Sequence, residues 1–121
     1  MDLYHKADTI NLINSDFSGK TLKNHQFKDK NGILVFYAPW CRHCQSSSSM
    51  WKTISSTFKN KFPIGVVNCD DFDNQNFKLL KTFNIKAYPT IKFVSKSGKV
   101  LDFDIGDTMD EIIYFIWTKL K

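Results

Sequence analysis

Two cysteines, Cys41 and Cys44, stand three positions apart in "FYAPWCRHCQSSSSMW", residues 36–51. Arg42 and His43 lie between them, and four serines follow. Thiol chemistry gives a pair at this spacing three fates: a switchable disulfide, half of a metal site, or a structural staple. If a helix opens at Cys41, the two sulfurs share one face a turn apart. That placement meets the Cα separation a disulfide needs. The ring so closed is tiny and constrains little chain entropy, which argues against a staple. A zinc site needs four ligands. The remaining candidates, Cys69, His5, His25 and His43, contain no second close pair. A switchable pair therefore suits the spacing best. In that reading Cys41 is the nucleophile, because the unpaired N–H groups of a helix N-terminus favour a thiolate, and Arg42 and His43 add positive charge. Cys44 lies deeper in the helix and resolves a mixed disulfide formed at Cys41. This chemistry needs no cofactor and no metal.

The elements that must position the pair lie on both sides of it. "ILVFY", residues 33–37, is apolar throughout and reads as a strand buried on both faces. A long helix is expected from Cys41 to Lys59, with Met50, Ile54 and Phe58 as its buried stripe. "IGVVNC", residues 64–69, reads as a second buried strand, and "NFKLLKTFN", residues 76–84, as a short helix with Phe77, Leu80 and Phe83 inward. "TIKFVS" and "VLDFDI", residues 90–95 and 100–105, alternate and are joined by a "KSGK" hairpin turn. Thr108 and Glu111 form a capping box for a last helix that buries Ile112, Phe115, Ile116 and the stem of Lys119. Upstream, "TINLI", residues 9–13, reads as a strand, and Ser15 and Asp16 as the cap of a helix running to about Asn24. "KDKNG", residues 28–32, is a turn. The order β-α-β-α-β-α-β-β-α implies an α/β fold: a mixed central sheet with helices on both faces, in a single domain over residues 1–121.

Composition narrows the function classes. The formal charge is +5, yet the lysines are scattered, and the one arginine is Arg42 between the cysteines. A nucleic-acid binder would show a basic stripe or a recognition motif, so the charge reads as a solvated surface. Eleven Phe favour a packed aromatic core over disorder. Three cysteines are too few, and odd in number, for a secreted disulfide scaffold. Cys69, at the end of a buried strand, reads as an inert thiol, and His5 and His25 have no visible role. No apolar run is long enough to span a membrane. The first ten residues lack the apolar core of a signal peptide.

"FYAPWCRHC" resembles the active-site segment of the protein disulfide isomerase a-type domain, within the thioredoxin family, where the usual form is APWCGHC. "AYPTIKF", residues 87–93, resembles that family's cis-proline loop, and "DFDIGD", residues 102–107, the end of its last strand. The resemblance covers nearly the whole chain. It implies a thioredoxin-like fold and a thiol–disulfide oxidoreductase whose partners are proteins carrying thiols or disulfides, with a thiol reductant or oxidase to restore the pair. It further implies a cis Pro89 beside the sulfurs, with Trp40 and the backbone of Tyr88 contacting an extended substrate. Nucleic acid and membrane are not expected partners, and a monomer is expected. With Met1 as the true start, the chain reads as intracellular, cytoplasmic or in a virion; with a trimmed leader, the endoplasmic reticulum lumen fits.

The chain also departs from the family pattern. The buried acid usual six residues before the first cysteine is Val35 here, and the accompanying lysine on the neighbouring strand is Val66. Losing both charges together is physically coherent, because losing one would strand the other. Gly106 is followed by Asp107, where isomerase-type domains use an arginine, and Ser49 stands where a proline commonly kinks the long helix. Gln45 replaces a common lysine. These departures support an alternative, a redox-weak thioredoxin-fold binding or structural module.

Overall fold

The computed structural model describes residues 3–120. Strand β1 (Ile10–Asn11) is followed by a hairpin, β2 (Phe17–Ser18) and β3 (Thr21–Leu22). Then come β4 (Gly32–Tyr37), α1 (Arg42–Phe58), β5 (Ile64–Asn68), α2 (Lys78–Thr82), β6 (Thr90–Val94), β7 (Val100–Asp102) and α3 (Met109–Leu120). Five strands form one sheet in the order β1-β5-β4-β6-β7. β1, β5 and β4 run parallel, while β6 and β7 are antiparallel to their neighbours. The expected mixed sheet is thus observed.

The continuous apolar run of β4 follows from its central place. Ile33, Val35 and Tyr37 face a layer that holds Trp51, Ile54 and Phe58 of α1 and Ile112 and Ile116 of α3. Leu34 and Phe36 face the opposite layer, with Leu79 of α2, Phe83, Leu22 and Phe27. Side chains alternate across a strand, so a strand covered on both faces must be apolar at every position. Trp51 is wholly buried and is the largest side chain of the core; truncating such a residue costs about 3–5 kcal/mol.

Three expectations are corrected. Residues 16–24 form no helix: Asn14–Asp16 is a single 3-10 turn, and the chain then makes the β2–β3 hairpin. Gly19 sits at φ +59, a left-handed turn conformation that suits glycine and ends a helix. In α2 the buried residue is Leu79, while Phe77 precedes the helix and is exposed. In α1 the buried stripe is Cys44, Trp51, Ile54, Ser55 and Phe58, and Met50 is only half-buried. The β6–β7 turn forms as expected around Gly98 at φ +87, and the Thr108–Glu111 capping box is present, with Thr108 Oγ1 donating to Glu111 Oε1 at 2.6 Å. Lys119 lies over the rings of Phe93 and Phe115 at 5.2 and 5.4 Å.

Candidate active site

The site lies where β4 ends and α1 begins. β4 delivers Ala38, Pro39 and Trp40, and Cys41 is the N-cap of α1. The Cys44 N–H donates to Cys41 Sγ at 3.3 Å, so a sulfur fills the place a hydroxyl or carboxylate takes in ordinary caps. Helix N–H groups aimed at this sulfur stabilise negative charge on it. The Gln45 amide closes the turn by donating to the Pro39 carbonyl at 2.8 Å. Ser46, Ser47 and Ser48 lie in the first turns of α1 and bond back to carbonyls of His43 and Gln45, so the serine run is helical.

The loop before β6 supplies the other wall. Cys41 Sγ donates to the Tyr88 carbonyl at 3.5 Å, and the Tyr88–Pro89 peptide bond is cis, as the resemblance implied. Trp40 is 67% exposed and meets the Tyr88 ring edge-on, with centroids 5.8 Å apart. The structure therefore brings Trp40, Cys41, Cys44, Tyr88 and Pro89 together. Arg42 and His43 lie on the solvent side of the first turn, exposed.

The two thiols have different environments. Cys41 retains 9% exposure, whereas Cys44 has 1%. Burial pushes the Cys44 thiol up to about 12, and the neighbouring Cys41 adds to the rise. Cys69 is also buried; burial pushes it up to about 12, with the Tyr88 phenol beside it acting in the opposite direction. All three cysteines are free thiols. Among the described residues no carboxylate or amine is buried near the pair. Val35 and Val66 are register partners in adjacent strands, both buried in the cluster that holds Cys44.

Two contributors escaped the sequence reading. Asp70 Oδ2 accepts from the Trp40 indole N–H at 2.5 Å and fixes that exposed ring over the site. Leu3 and Tyr4 pack into the cluster of Cys44 and Val35, with Tyr4 edge-on to Tyr37 at 5.1 Å. Neither carries a local signal: Asp70 lies thirty residues from Trp40, and the turn at Leu3 and Tyr4 is too short for periodicity.

The family model described as Thioredoxin matches residues 9–118. The chain belongs to the thioredoxin family. As a member of it, the chain is 34% identical over 118 residues to "Protein disulfide-isomerase" of Ricinus communis, covering 93% of this chain and 23% of that protein. It is 30% identical over 106 residues to "Protein disulfide-isomerase" of Drosophila melanogaster, covering 87% of this chain and 20% of the relative. This thioredoxin-family chain thus spans under a quarter of the length of either relative. Among solved structures, the first thioredoxin domain of mouse protein disulfide-isomerase A4 superposes with a TM-score of 0.73 at 26% identity, covering 94% of this chain and 76% of that one. The Trx4 domain of ERdj5 gives 0.71 at 25% identity, covering 95% and 97%.

Proposed function

We propose that the chain is a thiol–disulfide oxidoreductase domain acting on protein thiols and disulfides through Cys41 and Cys44. The arrangement that carries this reading is asymmetric: Cys41, whose sulfur caps a helix, keeps 9% exposure, while Cys44, one turn further into that helix, keeps 1%. In the reducing direction the Cys41 thiolate attacks one sulfur of a substrate disulfide. A mixed disulfide forms at Cys41 and one substrate thiolate leaves. Cys44 then loses its proton and attacks Cys41 Sγ. The Cys41–Cys44 disulfide forms, the second substrate thiolate leaves, and two electrons have passed to the substrate. Run backwards, the same steps oxidise a substrate dithiol. A small dithiol or thiol reductant, or a disulfide-bearing oxidase, resets the pair.

In this reading Trp40, Tyr88 and Pro89 form the substrate wall, and the Tyr88 peptide groups pair with an extended segment. Arg42 and His43, exposed in the first turn of α1 next to Cys41 in the chain, are the redox-tuning residues of this reading. Turnover of a scrambled-disulfide protein tests the proposal: recovery of native pairing should exceed that of Cys41→Ser. A second reading, a binding module whose pair merely oxidises, draws on the apolar Val35–Val66 pair and the absence of a buried ionisable group among the described residues. Turnover equal to that of Cys41→Ser, with retained binding of unfolded protein, selects it.

A further inference from the structure

The end of the molecule opposite Cys41 has a surface that disulfide exchange does not use. An open groove of about 670 Å³ lies where α1 ends, beside the entry to β4. Phe58, Leu120 and Trp117 make its apolar floor, and Lys30 and Lys61 stand on its rim. Trp117 is 56% exposed although it packs T-shaped against Phe58, with ring centroids 5.8 Å apart. The rim continues into an adjoining cleft that shares Lys30 and Lys61 and adds Lys96 and Lys119. A third hollow shares Lys96 and adds Lys23 and Lys28. Among the described residues the only acid lining any of the three is Asp29.

The surrounding acids do not neutralise this surface. Eight of the twelve Asp and Glu residues fall within 70–73 and 102–111. Those segments lie at the other end of the sheet, where β4, β5 and β7 finish. The only salt bridge among the described residues, Lys92–Asp102, involves none of the groove lysines. An apolar trough rimmed by unpaired lysines is thus separated along the molecule from most of its negative charge.

We infer that this distal groove docks an acidic polypeptide segment carrying an apolar anchor, with the anchor against Trp117 and Phe58 and its carboxylates on Lys30 and Lys61. Charge complementarity selects the sign of the occupant, and a concave apolar floor selects a side chain. A single-stranded nucleic acid would want successive exposed rings along a basic track, and this groove offers one exposed ring. A membrane surface would want a protruding apolar face, and this one is recessed.

The test uses the full chain and a labelled synthetic peptide of Glu and Asp around a central Leu-Phe pair, followed by fluorescence polarisation. Saturable binding is expected, weakened about tenfold or more by Lys30→Glu/Lys61→Glu and by Trp117→Ala, and lost as salt rises from about 50 to 500 mM. Lys61 is exposed and Lys30 half-buried, and neither belongs to the core, so circular dichroism should show that variant folded, and its turnover of a small peptide disulfide should match wild type. Equal affinity of the charge-reversal variant overturns the proposal. So does equal binding of a Glu-Asp peptide lacking Leu-Phe, or preferential binding of an oligonucleotide or of anionic phosphatidylserine vesicles.

Discussion

Replacing Val35 by glutamate should accelerate the second half of the thiol exchange near neutral pH. Cys44 must be a thiolate to attack the mixed disulfide, yet burial pushes it up to about 12. At neutral pH that thiolate is therefore scarce. Capping Cys41 as a mixed disulfide removes its share of the rise but leaves burial, the larger cause. With Val35 and Val66 both apolar, resolution in the native chain relies on water or hydroxide and should speed up about tenfold per pH unit. A carboxylate at position 35 would lie in the cluster that holds Cys44 and act as an internal base, a role worth about 10²-fold or more. It would flatten the pH dependence and cost stability, about 3–5 kcal/mol for a buried charge without a partner. Val66 is its register neighbour, so Val35→Glu/Val66→Lys should recover part of that loss. The assay is single-turnover decay of a trapped Cys41 mixed disulfide, from about pH 6 to 9. Equal decay of wild type and Val35→Glu at every pH would refute the reasoning, as would a wild-type rate that does not rise with pH.

Three further outcomes are expected. Because the Cys44 N–H is aimed at the Cys41 sulfur and no buried carboxylate among the described residues opposes charge there, the reduction potential should lie above about −270 mV, measured by equilibration against glutathione. Cys69 rises from an ordinary 9.0 to about 12 on folding, so above pH 9 the unfolded chain releases a proton that the folded one keeps. Stability should therefore hold below pH 9 and fall above it, and Cys69→Ala should make that alkaline slope shallower by up to about 1.4 kcal/mol per pH unit in urea titrations. Asp70→Ala frees the Trp40 indole and should raise KM for an unfolded protein substrate several-fold, while the reaction of Cys41 with a small aromatic disulfide stays unchanged; loss of both would mean that Asp70 supports the fold instead.

Local chemistry made much of this molecule legible in its sequence. β4 and β5 show as unbroken apolar runs because both faces are covered, and α3 announces itself through a capping box that does form. The cysteine pair is readable because N-cap position and one-turn spacing are properties of neighbouring residues. The Val35–Val66 pairing was implied by the family resemblance, and the register of β4 and β5 shows it. What failed depended on contacts distant in sequence or on short elements. The segment after Asp16 carries an acceptable helix cap, yet Gly19 turns it, and Leu22 is drawn into the core beside Gly98, whose carbonyl takes the Leu22 N–H at 2.8 Å. In α2 one short helical stretch gives too little periodicity to fix its phase, and Leu79, not Phe77, turns inward. Asp70 became visible only when folding set it against Trp40.

Leu3 and Tyr4 belong to the same packed cluster as Cys44 and Val35, so this turn forms part of the resolving thiol's insulation. A truncation or a bulky fusion that disturbs this turn would admit water beside Cys44 without touching any residue near Cys41. Hydration would ease removal of the Cys44 proton and blur the contrast between the outer and inner sulfur. Packing at Leu3 and Tyr4 is thus a chemical variable of the inner sulfur, and variants at these two positions should differ in the speed with which they let go of a substrate.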